Sequence, residues 1–315
     1  MDSHVWLRLG KSLPEEGADQ LPELFPGVRF ATEVTPEDHA SIDVVFTSSR
    51  LDDETTAMLP SLKWIHTTYG GGLSFLTPEV VSRKIIVTCS RGAQAEPLSE
   101  FAEACVLAFA KQLPLLWQLT QERRWKGDTT LDGLPGKIVG ILGLGAVGSA
   151  VAKRLHKHGM KIRAIRRSTD EAPPYVENVF GLDRLSDILR EADFLIISLP
   201  QLEGIRGLIG EAELRSMKKT SYLINLVTRG IVTDAALAKA LRRNWIAGAA
   251  CNVFEANPLP EQSDLWESPN LIISPGIGQS DPLRWRKLQK FFTDNMERYL
   301  KSEPMINLVE GKDTS

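Results

Sequence analysis

In the run Lys137-Ile-Val-Gly-Ile-Leu-Gly-Leu-Gly-Ala-Val-Gly-Ser-Ala-Val-Ala152, an apolar segment leads through three glycines into residues at helical spacing. Ile138, Val139, Ile141 and Leu142 suit a strand buried on both faces, and Ala150, Val151, Ala152 and Leu155 suit the helix after it. In Gly143-x-Gly145-x-x-Gly148 each glycine has a separate task. The first makes the tight turn, the second lets a pyrophosphate approach the backbone, and the third lets helix pack on strand. The N–H groups that open the helix, at Ala146 and Val147, then face the phosphates together with the positive end of the helix dipole. This run predicts a parallel β-turn-α unit that binds a dinucleotide.

With 315 residues the chain can build two domains with substantial cores. Its 37 basic and 40 acidic residues leave a charge of −3, which argues against nucleic acid or an anionic membrane as the main partner. No apolar run is long enough to span a bilayer and Met1-Asp2-Ser3-His4-Val5-Trp6 is not a signal peptide, so the expectation is a soluble, cytoplasmic protein. Cys89, Cys105 and Cys251 are scattered and odd in number, which predicts small core residues, with neither a disulfide framework nor a metal site.

Along the first hundred residues, apolar runs at Val5–Leu9, Val44–Thr47, Trp64–Thr67 and Ile85–Thr88 alternate with helical pieces at Glu54–Met58 and Pro78–Ser82, predicting a small parallel α/β domain. Tyr69-Gly70-Gly71-Gly72 follows the third of these strands. Successive glycines at a strand's carboxyl end form either a nest of N–H groups suited to a carboxylate or a plain flexible turn. Glu96–Glu122 has helical periodicity that Pro114 kinks or splits, and Gln121–Leu134 is an exposed connection. Beyond the glycine turn, strands are expected at Lys161–Ile165, Asp193–Leu199, Tyr222–Leu226, Ile246–Cys251 and Leu271–Ser274. Helices fall between them at Arg184–Arg190, Glu211–Met217 and Asp234–Arg242, and the tail Asp281–Leu300 is helical. This rhythm is doubly wound, with ligands at the carboxyl ends of the strands.

An NAD site usually places an acidic residue about twenty positions past the glycine turn, at the end of the second strand. Here that place reads Ile165-Arg166-Arg167-Ser168-Thr169. Two guanidiniums and the hydroxyls of Ser168 and Thr169 suit a 2′-phosphate, so NADP(H) is favoured, with Asp170 leaving room for NAD(H).

Leu62-Lys-Trp-Ile, Ser90-Arg-Gly-Ala-Gln-Ala-Glu-Pro, Gln121-Glu-Arg-Arg-Trp, the glycine turn, Arg206-Gly-Leu-Ile-Gly, Asn225-Leu-Val-Thr-Arg-Gly230, Val253-Phe-Glu-Ala-Asn-Pro-Leu-Pro260 and Ile273-Ser-Pro-Gly-Ile-Gly278 occur in that order. Through these pieces, nearly the whole chain resembles the D-isomer-specific 2-hydroxyacid dehydrogenase family. The resemblance implies an α/β protein of two Rossmann-like domains. One is a cofactor domain with a doubly wound parallel sheet, over 100–283; the other is a smaller, flavodoxin-like substrate domain over 1–99, completed by the tail 284–315. It also implies an NAD(P)-dependent oxidoreductase of small molecules, a site in the cleft between domains and a homodimer held by the cofactor domain. Leu199, Pro200, Val227, Arg229, Asn252, Gly276 and Gly278 join the expected cofactor contacts, and Tyr69, Gly70, Gly71, Gly72, Arg229 and Trp285 form the expected substrate wall.

Family chemistry uses an Arg to hold a 2-oxo acid, a His to transfer the hydroxyl proton and a Glu to orient that His. Arg229 matches the first. The position of the Glu holds Asn257, that of the His holds Gly276, and the Asp that precedes Val-Phe is replaced by Asn252. A one-residue slip would make Glu255 the carboxylate, but Pro258 and Pro260 anchor the alignment. The five histidines are His4, His39, His66, His156 and His158, all upstream of this region. Tyr69 is the candidate substitute donor, whereas His66, on a buried strand, is expected in the core. General acid–base help contributes about 10²–10⁴-fold, so ordinary 2-hydroxyacid oxidation is expected to suffer by that order. Three readings follow: a reductase whose substrate needs little enzymic acid, such as an imine or activated alkene; conventional 2-oxo acid reduction with a substitute acid; or an NADP(H)-binding sensor without turnover.

Overall fold

The computed structural model describes residues 3–8, 20–128, 130–167, 172–200, 204–280 and 284–310. They separate into two compact units, Met1–Gln94 with Asp281–Ser315, and Ala95–Ser280.

The first unit holds β1 (His4–Arg8), α1 (Gln20–Leu24), β2 (Arg29–Ala31), β3 (Val44–Thr47), α2 (Asp53–Ala57), β4 (Trp64–Thr67), α3 (Pro78–Ser82) and β5 (Ile86–Cys89). Its sheet is all parallel in the order β2-β1-β3-β4-β5, the flavodoxin-like order, with the winding reversing between β1 and β3. Asp52 and Thr77 cap α2 and α3, accepting from the N–H groups of Thr55 and Val80.

The second unit contains α4 (Ala95–Ala110), α5 (Leu113–Gln121), β6 (Ile138–Leu142), α6 (Ala146–Lys157), β7 (Lys161–Ile165), β8 (Asn178–Phe180), α7 (Leu185–Glu191), β9 (Phe194–Ile197), α8 (Glu211–Ser216), β10 (Tyr222–Asn225), α9 (Asp234–Arg242), β11 (Gly248–Cys251) and β12 (Leu271–Ile273). Its seven parallel strands run β12-β11-β10-β9-β6-β7-β8, so the switch point lies between β6 and β9. Both faces are covered. Val139, Ile141, Ile162 and Ile196 pack toward α4 and α6, while Leu142, Ile165, Leu195 and Leu223 pack toward α7, α8 and α9. This two-sided burial explains why the strands read as nearly continuous apolar runs.

The chain enters the second unit at Ala95 and leaves it after Ser280, where the sequence places these passages at 100 and 283. The whole of α4 packs on α6: Arg154 reaches Ser99 Oγ (2.8 Å) and the carboxylates of Glu96, Glu100 and Glu103. Helix α10 (Arg284–Leu300) returns to the first unit, where Phe292 stacks on Phe46 at 4.4 Å and on Trp64 at 5.4 Å. The long helix expected over 96–122 breaks at Gln112, which is left-handed (φ 48°), and Pro114 sits in the first turn of α5. Among the described residues, no helix is long and apolar enough to cross a membrane, and no group of His, Cys, Asp and Glu is placed to hold a metal.

Candidate active and cofactor site

Gly143 leaves β6 with φ +96°, and a Cβ there would lie 2.8 Å from Leu199 N. Both the backbone sign and the neighbouring strand therefore demand glycine. At Gly148 a Cβ would stand 2.0 Å from Gly143 O and 2.7 Å from Ser198 Oγ. That hydroxyl donates to Gly143 O at 2.6 Å, tying the end of β9 to the turn. Gly145 differs from both: its Cβ would meet nothing within 4 Å, and it caps α6 without a side chain. The space in front of the α6 N-terminus, open at Gly145 and bordered by the N–H groups of Ala146 and Val147, is a cradle that fits a pyrophosphate.

β7 pairs with β6 through Leu142 and Ile165, which brings Arg166 and Arg167 beside the glycine turn. Arg166 N donates to Phe180 O at 3.0 Å, fixing the start of this loop on β8. Arg166 is half-buried and Arg167 exposed, and both take part in polar interactions. Ser168 and Thr169, expected to share the phosphate, and Asp170, which leaves room for NAD(H), lie outside the described residues.

On the other side of the switch point, the ends of β9, β10, β11 and β12 are knitted together. Thr228 Oγ1 donates to Leu199 O, so the Val227–Arg229 segment is tied to the strand end that abuts Gly143. Pro200 and Arg229 are exposed. The Arg229 loop is held from behind, where Gly207 N donates to Gly230 O at 2.7 Å and Ile209 N to Ile231 O at 2.9 Å. Asn252 is buried, and all its amide groups are used. Nδ2 donates to Leu226 O and Gln279 Oε1, each at 2.9 Å; Oδ1 accepts from Gly278 N at 2.7 Å and Ser274 Oγ at 3.0 Å. Asn225 is buried as well. Its Nδ2 reaches Val253 O at 3.3 Å, and its Oδ1 has no partner among the described residues.

Gly276 has φ +73°, and the nearest atom to a Cβ there would be Asn252 O at 4.0 Å. Room for a side chain exists, but the backbone conformation disfavours one. Asn257 is exposed. The carboxylate nearest to it in sequence, Glu255, is occupied by the start of α9: Asp234 N donates to Glu255 Oε2 at 2.9 Å and Glu255 N to Asp234 Oδ2 at 3.1 Å. Burial pushes the Asp234 carboxyl up to about 6; the N–H of Glu255 opposes this and its carboxylate adds to it.

In the first unit, Tyr69 is half-exposed beyond β4, its ring centroid 6.3 Å from that of Phe75. Cβ atoms at Gly70 and Gly71 would meet nothing within 4 Å, which leaves the strand-end N–H groups approachable. Gly72 has a packing reason of its own, since a Cβ would come 2.4 Å from Val309 Cγ2. His66 is fully buried among Phe46, Trp64 and Phe292. Its ring nitrogens pair with Thr88 Oγ1 (2.7 Å) and Ser90 Oγ (3.1 Å), and burial lowers its pKa to about 3. The ring is a neutral core element, as its strand position predicts. Trp285 packs on Phe46 with centroids 6.0 Å apart.

Several residues that tie this site together escaped sequence reasoning: Ser198, Thr228, Asn225, Gln279 and Asp234, the partner of Glu255. Ser198, Thr228 and Gln279 stand directly beside the singled-out Leu199, Arg229 and Gly278, but hydrophobic periodicity carries no signal for such polar links.

Residues 104–278 match the family model described as D-isomer specific 2-hydroxyacid dehydrogenase, NAD binding domain. The glyoxylate reductase of Thermofilum pendens is 33% identical over 270 residues, covering 83% of this chain and 79% of that protein. The glyoxylate reductase of Korarchaeum cryptofilum is 29% identical over 315 residues, covering 95% and 94%. Among solved structures, a D-isomer specific 2-hydroxyacid dehydrogenase from Xanthobacter autotrophicus Py2, in complex with NADPH and MES, is similar with a TM-score of 0.87 at 25% identity, covering 100% of both chains.

Proposed function

The chain belongs to the D-isomer specific 2-hydroxyacid dehydrogenase family, and from that premise we propose that it is an NADPH-preferring reductase that holds its substrate's carboxylate on Arg229 and acts on a centre that brings its own proton. As a member of that family it is an NAD(P)-dependent oxidoreductase. The cradle at Gly145 and the α6 N-terminus would take the pyrophosphate, and Arg166 and Arg167 the 2′-phosphate. The cofactor, when bound, supplies a hydride. The relatives that reduce glyoxylate and the NADPH in the Xanthobacter complex support the direction of reaction and the choice of cofactor.

One observation carries the substrate reading. At the position where the family keeps its histidine stands Gly276, whose N–H is paired with Asn252 O (3.0 Å) and Ser274 O (2.9 Å) and whose carbonyl is paired with Gln279. It has no side chain and no spare backbone group with which to donate a proton. Hydride addition to a ketone leaves an alkoxide that needs one; addition to an iminium, R₂C=NH₂⁺ + H⁻ → R₂CH–NH₂, does not. The substrate class favoured here is therefore the iminium form of a 2-oxo acid, its carboxylate on Arg229. Homodimers are supported by an exposed apolar face on and after α5, where Leu113, Trp117 (71% exposed) and Trp125 (99%) lie open. The three cysteines are free and buried, which suits the reducing cytoplasm.

The test is NADPH oxidation with glyoxylate, hydroxypyruvate and pyruvate, each alone and with ammonium or methylamine. Oxidation that depends on the amine is expected. Brisk reduction of glyoxylate alone would return the enzyme to conventional chemistry with a substitute acid, and tight NADPH binding without oxidation under any condition would make it a sensor.

A further inference from the structure

At the carboxyl ends of β10, β11 and β12, backbone carbonyls dictate the orientation of two side-chain amides. Leu226 O can only accept, so Asn252 must turn Nδ2 toward it; Oδ1 is left to receive Gly278 N–H and Ser274 O–H. Gly276 O can likewise only accept, so Gln279 must turn Nε2 toward it, and Gln279 Oε1 then faces Asn252 Nδ2 at 2.9 Å. The two orientations, set by different carbonyls, agree. An Asp at 252 would have no proton for Leu226 O or Gln279 Oε1. It would draw the Gln279 NH₂ to itself and leave Oε1 against the Gly276 carbonyl. Asn252 and Gln279 therefore act as a matched pair, and Gly278 is part of the match, since a Cβ there would lie 2.8 Å from Asn252 Oδ1.

The place of this pair in the sheet gives it a function. A cofactor with its pyrophosphate at the β6 turn and its 2′-phosphate beyond β7 would place its other half on the opposite side of the switch point, toward the ends of β9, β10 and β11. The loop Ser274–Gln279 stands at that end. We propose that Gln279 is a positioning residue for the nicotinamide half of the cofactor: with Asn252 it holds Gly276 in its left-handed turn and keeps both of that residue's polar backbone groups turned inward. The inference rests on the cofactor reading above, and deepens it by assigning the task to two uncharged amides instead of an ionised side chain.

Binding separates this role from a merely structural one. NADPH titrations of wild type, Gln279→Met, Asn252→Asp and the double variant are compared with titrations of adenosine 2′,5′-bisphosphate, which carries only the adenosine half. Each single variant is expected to weaken NADPH by about tenfold, the scale of one or two lost hydrogen bonds. The double variant should lose little more than either single one, because the pair acts as a unit. Bisphosphate affinity should stay at the wild-type value throughout. Unchanged NADPH affinity in Gln279→Met overturns the inference, as does an equal loss for both probes. Wild-type protein that binds neither probe removes the cofactor reading and this inference with it; wild-type binding of both, with Gln279→Met indistinguishable from it, overturns the inference alone.

Discussion

In the proposed reading, Arg166 and Arg167 carry the choice of cofactor at the level of single side chains. An unmodified ribose offers hydroxyls that a carboxylate would accept from, and the described end of β7 provides two guanidiniums instead. A 2′-phosphate would accept charge-assisted hydrogen bonds from them, each worth more than a neutral one. Removing both in Arg166→Ala/Arg167→Ala should weaken NADPH by about 10²-fold while leaving NADH nearly unchanged, measured as paired fluorescence titrations. Equal losses for the two cofactors would show that these arginines shape the loop and do not read the phosphate. Gly276 illustrates the opposite case, a residue whose lack of a side chain is, in the proposed reading, the chemistry. Its positive φ also means that a histidine placed there carries backbone strain of about 1–3 kcal/mol, so restoring the family's acid by one substitution costs stability.

Between elements, the decisive link joins the start of α9 to the segment after β11. Asp234 and Glu255 exchange backbone-to-carboxylate hydrogen bonds, and burial raises the Asp234 carboxyl to about 6. A carboxyl whose folded pKa exceeds its unfolded value near 3.9 binds its proton more tightly in the fold. Stability from this group is therefore present at low pH and is lost as pH rises between about 4 and 6. Asp234→Asn keeps an oxygen for Glu255 N and removes the charge. It should raise stability by about 1 kcal/mol at pH 8, after allowance for solvent screening, and by little or nothing at pH 4.5. Denaturant melts at the two pH values check this, and an equal gain at both would mean that the charge is not the cause. Much at this scale was legible in the sequence, because β6, β9, β10 and β11 are buried on both faces and so appear as apolar runs. The short edge strands β2 and β8, with exposed and half-buried residues only, lack that signature and were not foreseen. Glu255 shows another limit. A one-residue slip would make it a displaced catalytic carboxylate, which Pro258 and Pro260 argue against, but nothing in the sequence points to its actual partner on α9, 21 residues away.

At the scale of the whole molecule, one feature of chain order has an energetic consequence: the first unit is not complete until the chain has finished the second. Its core joins Val5, Phe46 and Trp64 from the beginning of the sequence with Phe292 and Met296 from the end. Tyr299 donates to Asp43 at 3.1 Å, Asn295 exchanges hydrogen bonds with Ile306, and Leu308 bridges Thr88 on β5. The second unit draws its own cores from residues 98–265 alone. Phe292 is the centre of the junction, fully buried and stacked on both Phe46 and Trp64. Phe292→Ala removes about 3–5 kcal/mol of packing, a large part of the stability of a single domain. The loss should fall on the first unit. Amide hydrogen exchange is expected to quicken in β1, β3 and β4 while β6, β9 and β10 keep their protection, and adenosine 2′,5′-bisphosphate should still bind to the second unit. Loss of protection in both units together, with loss of bisphosphate binding, would mean that the two fold as one cooperative body and that the tail stabilises the cofactor site as much as its own sheet.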